Sequence, residues 1–309
     1  MELGILLPHA GMAADPASIR EVAQASERLG LASVWAGDHI LLPQEQRSHY
    51  PYAEEPQYPV PAERNFLEPF TTLAFAACAT ERVRLGVSVC VVPYRHPLAL
   101  AKVVATLDFL SFGRAVLGIG EGWLAEEFAA LGVPFEERAA RTDEALALLQ
   151  GAWFQDGAFS FQGRFYRCEG VLVRPQPVQR PLPLWVGGNG RRARERAARY
   201  GTAWHPTIWH LCPADLARRY REVQELAERA GRDPASVGLT LFAPAEVAEE
   251  PPGRPPWETG GIVGPPAYIA TVLRQYEEAG VEHVVLALGR SGRRRIENMA
   301  AIAEELRRV

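Results

Sequence analysis

In the run Trp35-Ala36-Gly37-Asp38-His39 a carboxylate stands beside an imidazole. Such a pair suits proton handling near neutral pH, where histidine titrates. The plainer reading is that Asp38 caps a turn and His39 is satisfied by hydrogen bonds. Further along, Gly118-Ile119-Gly120-Glu121-Gly122-Trp123 sets a carboxylate among glycines. Missing side chains there leave room for a flat ring, with Glu121 as a second acid or base. The run Gly86-Val87-Ser88-Val89 offers small residues where a flat ligand could approach the backbone. In Gly187-Gly188-Asn189-Gly190-Arg191-Arg192, a glycine-rich turn runs into a helical pattern. Free amides at a helix start bind phosphate, and Arg191 can reinforce them. His205, His210 and Cys212 lack the spacing of ligands on one helical face, so no metal site is expected; His205 is expected to face the same pocket as the other groups.

These residues need a frame, and the frame is written in alternation. Apolar runs at 3–7, 32–36, 83–91, 115–119, 184–187, 202–206, 237–247 and 283–288 read as strands. Helical patterns fall between them at 69–80, 97–110, 123–131, 135–153, 213–230, 265–280 and 296–306, with a first helix capped by Asp15-Pro16 and closed by Gly30. Eight βα repeats predict a (β/α)8 TIM barrel. An open doubly wound sheet would place a GxGxxG motif after the first strand, and none is there. In a barrel every chemical cluster named above lies at the C-terminal end of a strand, where active sites form. Three segments interrupt the repeat as insertions in a single domain. They are about 43–66, rich in Tyr and Pro and expected to form a lid; about 158–180, expected to form a hairpin turning at Gln162-Gly163 on the outside; and about 248–264.

Composition narrows the partners. The chain has 309 residues, 48% hydrophobic, which supports one large core, and its net charge of −4 argues against nucleic acid or an anionic membrane. No apolar run reaches the length of a membrane span and no signal-peptide pattern opens the chain, so a soluble cytoplasmic protein is expected. The four cysteines are expected to be reduced and structural. The run Arg293-Arg294-Arg295 reads either as a solvated face or as a contact for an anionic tail.

The stretches RVRLGVSVCVVPYR (82–95), HPLALAKVVATLDFLSFGRAVLGIGEGWLAEEF (96–128), SVWAGDHI (33–40) and PLPLWVGGNG (181–190) resemble the luciferase-like monooxygenases. The branch they look most like is the F420-dependent oxidoreductases. The resemblance implies coenzyme F420 as cofactor, with FMN as the alternative. It implies a non-prolyl cis peptide at Ser88–Val89 behind the cofactor ring, contacts to that ring from Asp38, and His39 as the residue that stabilises or protonates the reacting intermediate. Glu121 and Gly122 are placed beside the cofactor, and Gly187, Gly188, Gly190 and Arg191 at its phosphate. One departure stands out. Sugar-phosphate dehydrogenases of the family carry a catalytic glutamate after the fourth strand; the aligned position here is Trp123, with Glu121 two residues earlier. Trp123 is therefore expected to wall a substrate pocket, sugar-phosphate oxidation is disfavoured, and the acid or base is left among His39, Asp38 and Glu121. The implied activity is hydride transfer between reduced deazaflavin and a small organic substrate. The alternative is an FMN-dependent monooxygenase that uses O2 and takes reduced flavin from a partner reductase. A non-catalytic flavin carrier is a third reading. A homodimer is implied by resemblance alone.

Overall fold

The computed structural model describes residues 1–289 and 292–308. Eight parallel strands form a closed barrel. They are β1 (Glu2–Leu6), β2 (Ser33–Ala36), β3 (Arg84–Val91), β4 (Ala115–Gly120), β7 (Leu184–Gly187), β8 (Ala203–His205), β9 (Gly238–Val247) and β11 (His283–Leu288). The ring closes through two parallel pairings, Ala203 with Gly238 and Trp204 with Leu239, and Ile5 opposite both Val34 and Leu286. The helices that return the chain are α1 (Pro16–Arg28), α2 (Pro69–Ala77), α3 (Pro97–Leu110), α4 (Ala125–Ala130), α5 (Arg138–Phe154), α6 (Arg191–Tyr200), α7 (Pro213–Arg229), α9 (Pro266–Glu278) and α10 (Gly292–Arg307).

The ends of these elements follow local rules. Asp15 accepts a hydrogen bond from the Ser18 amide at 2.9 Å, Pro16 takes the first turn of α1, and Gly30 leaves it at φ +74. α1 buries the stripe Ile19, Val22, Ala23 and Ser26 against the sheet. The expected helix at 123–131 begins only at Ala125, because Gly122 sits at φ +82 and residues 121–124 stay extended or turned.

The barrel interior is packed rather than hollow. Trp35 and Trp185 meet at 4.6 Å in its centre, with Val116, Val285 and Ala203 around them. Gly86 is explained here: a Cβ on it would fall inside the Trp35 ring, so this glycine serves the core rather than a ligand. At the N-terminal end of the barrel a polar network replaces apolar filling. Trp35 donates to the Ser33 hydroxyl at 2.6 Å, Ser33 meets His283 Nε2 at 2.8 Å, and His283 Nδ1 meets Glu2 at 2.9 Å.

The insertions take defined forms. The hairpin is β5 (Phe159–Gln162) with β6 (Arg167–Val171), and its turn spans 163–166, longer than the two-residue turn read from Gln162-Gly163. It lies outside the barrel sheet, with Phe159 packed where a Cβ on Gly151 of α5 would stand. Residues 248–264 hold α8 (Pro256–Thr259) and a further strand, β10 (Ile262–Gly264), which pairs with the end of β9. β9 runs past the barrel rim, and this overhang gives β10 its edge. No helix among the described residues is long and apolar enough to cross a membrane.

Candidate functional site

The C-terminal mouth of the barrel opens into a cavity of about 820 Å³. Asp38, His39, Ser88, Val89, Glu121, Gly122, Trp123, Gly187, Gly188, Gly190 and His205 all line it. Arg191 is not among its lining residues. Its side chain lies 85% exposed and pairs with Glu195 at 2.7 Å, while its neighbour Arg192 lines the cavity.

The floor is the end of β3. Its register against β4 slips between Val87 and Cys90, and the Ser88–Val89 peptide is cis. The bulge is accommodated by glycines on its neighbours. A Cβ on Gly118 would collide with the Val87 carbonyl, one on Gly120 would stand 2.7 Å from Val89 Cγ2, and one on Gly187 2.8 Å from Val89 Cγ1. Gly118 and Gly120 thus make room for the strand bulge itself. Ser88 is fixed from below. The Thr240 hydroxyl donates to the Trp204 carbonyl at 3.3 Å, so it accepts from His205 Nδ1 at 2.8 Å, and His205 Nε2 accepts from Ser88 at 3.0 Å. Burial holds the His205 pKa down at about 3, with His283 adding repulsion, so the ring is neutral. His205 therefore clamps the bulge and is not a proton donor.

Asp38 and His39 do not pair with each other. Asp38 receives both Arg95 guanidinium nitrogens at 2.7 and 2.9 Å and the Val91 amide at 2.9 Å. Burial opposes the Arg95 charge, yet these bonds raise its pKa above the usual range. Asp38 is thus tied to the end of β3 by the Val91 amide and to the segment after it by a bidentate ion pair. His39 Nδ1 instead lies 2.6 Å from Glu127, a fully buried carboxylate on α4. Glu127 also accepts from the Ile40 amide at 2.6 Å, the Leu41 amide at 3.2 Å and the Tyr94 hydroxyl at 2.8 Å. These donors mark it as the carboxylate that orients the imidazole. His39 Nε2 has no protein partner among the described residues.

Around His39 stand aromatic rings: Tyr58 at 4.9 Å, Phe66 at 5.2 Å and Trp123 at 6.0 Å, with Tyr50 5.2 Å from both Tyr58 and Trp123. The inserted segment that brings the tyrosines is tied down without regular structure. Glu126 accepts from the Arg47 and Ser48 amides at 2.5 and 2.9 Å, and Gln46 bridges Ser48, Pro56 and Tyr58. Burial pushes the Tyr50 and Tyr58 phenols upward, so both stay neutral.

Sequence reasoning also missed His9, at the end of the first strand. Its Nδ1 donates to the Leu7 carbonyl at 2.9 Å and its Nε2 accepts from the Gly37 amide at 2.9 Å, with burial holding its pKa at about 4. Across the mouth, α6 starts at Gly190 with no side chain capping it, so its first amides lack intrahelical partners. Asn189 holds this turn in place through Thr207 and Trp209. Arg196 bonds Glu121 at 2.7 Å, Asp143 at 2.5 Å and the Ala139 carbonyl at 3.0 Å, which docks α5 on α6. Glu121 is thereby an ion-pair partner as well as a cavity residue. Beside it, Arg138 stacks on Phe135 at 3.8 Å and keeps a buried Nε without a hydrogen-bond partner.

Comparison with known proteins fits this geometry. Residues 1–252 match the family model described as luciferase-like monooxygenase. An uncharacterized protein of Mycobacterium tuberculosis is 33% identical over 211 residues, 68% of this chain and 72% of its own length. Among solved structures, an F420-dependent secondary alcohol dehydrogenase superposes with a TM-score of 0.78 at 18% identity, covering 99% of each chain. A monooxygenase from Streptomyces bottropensis gives 0.78 at 21% identity, covering 99% of this chain and 98% of that one. At such identities the superpositions speak for the fold alone, and it is the family match over most of the chain that identifies it: the protein belongs to the luciferase-like monooxygenase family and is an oxidoreductase of that superfamily.

Proposed function

We propose that this chain is an F420-dependent oxidoreductase that transfers hydride between the reduced deazaflavin and a small organic substrate. The observation that carries the reading is His39: one ring nitrogen is held by buried Glu127, and the other has no protein partner among the described residues and belongs to a cavity wall. Hydride transfer to a carbonyl leaves an alkoxide that needs a proton, and oxidation of an alcohol needs one removed. With Nδ1 donating to Glu127, Nε2 of neutral His39 accepts a proton and Nε2 of the cation gives one.

The residues present fit the cofactor. The Ser88–Val89 bulge and Asp38 would back its ring. The amides from Gly187 to Gly190 at the start of α6 would take its phosphate, with Arg192 and the unsatisfied Nε of Arg138 beside them. When bound, the deazaflavin supplies a two-electron hydride carrier whose reacting carbon does not readily activate oxygen. Tyr50, Tyr58 and Trp123 exclude water from His39 and favour an apolar substrate body. The resemblance to the F420 branch supports the same choice. The acetone adduct in the alcohol dehydrogenase of like fold makes small alcohols and ketones the first compounds to screen.

Separate fluorescence titrations of the apo-protein with F420 and with FMN test the proposal. Tight F420 and weak FMN binding is the expected result. Tight FMN with weak F420 binding overturns it in favour of an oxygen-using flavin monooxygenase.

A further inference from the structure

Arg295 is the member of the 293–295 arginine run that a solvated face does not explain. Arg294 is exposed, the Arg293 side chain lies outside the described residues, and Arg295 turns inward to line the cavity. Its Nη1 donates to the Leu6 carbonyl at 3.3 Å, and its buried Nε has no hydrogen-bond partner among the described residues. No carboxylate pairs with it among the described residues, whereas Arg196, another arginine of the cavity, holds two. A guanidinium left unpaired in a protein wall is costly unless a ligand completes it. Burial indeed lowers its pKa to about 10.

Its position separates it from the cofactor's phosphate. Arg295 sits where β1 and β11 end, beside Leu6 and Leu288. In the ring order β1, β2, β3, β4, β7, β8, β9, β11, strand β7 stands four places from β1 in either direction. The Gly187–Gly190 turn after β7 is therefore on the opposite wall. His9 lies between Arg295 and His39, close enough to feel the charge of both. The cavity has one anion-binding wall for the phosphate and a second cationic group on the side of the proton donor.

We infer that Arg295 binds an oxyanion of the substrate, a carboxylate or a phosphate ester, and so selects small organic acids over neutral compounds of the same shape. The inference rests on the reading above in one respect, that the cofactor's phosphate occupies the β7 wall. A planar guanidinium with an unused Nε offers the paired donors that carboxylate and phosphate accept.

The test is calorimetric titration of the full chain, without cofactor, with benzoate, phenyl phosphate and benzamide. At least one of the two anions is expected to bind about tenfold or more tighter than benzamide, the size of a charge-assisted hydrogen bond. Which anion wins names the group. Arg295→Gln is expected to erase the preference and Arg295→Lys to keep part of it, with melting temperatures confirming that both variants fold. No anion preference in the unaltered chain, or a preference that survives Arg295→Gln, overturns the inference. It is overturned equally if Arg295→Gln weakens F420 binding tenfold and leaves the probes unaffected, which would assign the residue to the cofactor's acidic tail. Because the probes are titrated without cofactor, FMN binding in place of F420 would sink the proposed function and leave this result standing.

Discussion

Two histidine–glutamate pairs occupy opposite ends of the same barrel. At the N-terminal end, His283 bonds Glu2 through Nδ1 and Ser33 through Nε2, and Arg84 also approaches Nδ1 at 3.1 Å. At the C-terminal mouth, His39 bonds Glu127 through Nδ1 and has no protein partner for Nε2 among the described residues. The residue types are the same and the consequences differ. In the first pair both ring nitrogens are consumed by the fold, so it can only hold strands together. In the second the carboxylate is buried and the free nitrogen belongs to a cavity wall. A histidine beside a carboxylate is thus no sign of chemistry by itself; the unspent nitrogen is.

The same substitution at both sites sharpens this contrast most. Asparagine keeps a donor near the position of Nδ1 and removes Nε2. His39→Asn is expected to lower kcat of F420-linked turnover about 100- to 10,000-fold, the usual worth of a general acid or base, with little change in melting temperature. His283→Asn is expected to leave kcat unchanged and to cost about 1–3 kcal/mol of stability by leaving the buried Ser33 hydroxyl without its acceptor. Glu127→Gln falls next. It keeps an acceptor but loses the charge that steadies imidazolium, so kcat should drop about tenfold or more and its pH profile should move, with KM nearly constant. A purely structural Glu127 would lower stability and leave the pH profile in place.

How far the sequence reached follows the same division. Alternating apolar runs showed all eight barrel strands, because strand burial repeats in a pattern that spacing alone reveals. The cis peptide at Ser88–Val89 and the glycine turn after β7 were legible through resemblance and through glycine placement. What escaped was pairing. Asp38 and His39 are adjacent in sequence, yet neighbouring residues on a strand end point apart. Their partners, Arg95 and Glu127, come from 57 and 88 residues away. Glu127 drew no notice in the sequence, since Ala125-Glu126-Glu127 looks like an acidic first turn; only its burial distinguishes it from Glu126. β10 was missed because three residues give no period, and Gly86 was misread because Trp35, which fills its space, is distant in sequence.

Acid titration reports on two of the buried neutral histidines. His9 and His205 have folded-state pKa values of about 4 and about 3, both lowered mainly by burial. The unfolded chain takes up protons near pH 6.5, where the folded one does not. Stability is therefore complete above about pH 6.5 and lost as pH falls toward 4, by about 2 kcal/mol per histidine at pH 5. Denaturant unfolding at pH 7 and pH 5 should show the loss, and His205→Gln should reduce it by about half of the combined effect of these two groups. An unchanged slope in that variant would show that His205 is not held neutral.

The walls of the mouth offer a smaller contrast. Gly188 lies at φ +110, and an added Cβ would stand 3.3 Å from Ala193. Gly188→Ala should therefore strain the turn by about 1–3 kcal/mol and weaken cofactor binding about tenfold. Three positions further along the same segment, Arg191 gives the smallest effect. Its charge faces solvent and is already matched by Glu195 one helical turn away. Exposed pairs of this kind are worth about 0.5 kcal/mol or less, so Arg191→Ala should change neither melting temperature nor F420 affinity measurably. Arg192→Ala, on the cavity side, should weaken F420 binding and do so less at high salt, where its charge is screened. If Arg191→Ala weakened binding instead, the phosphate would have to lie outside the turn, and the division between a backbone-built wall at β7 and a side-chain-built wall at β2 would fail.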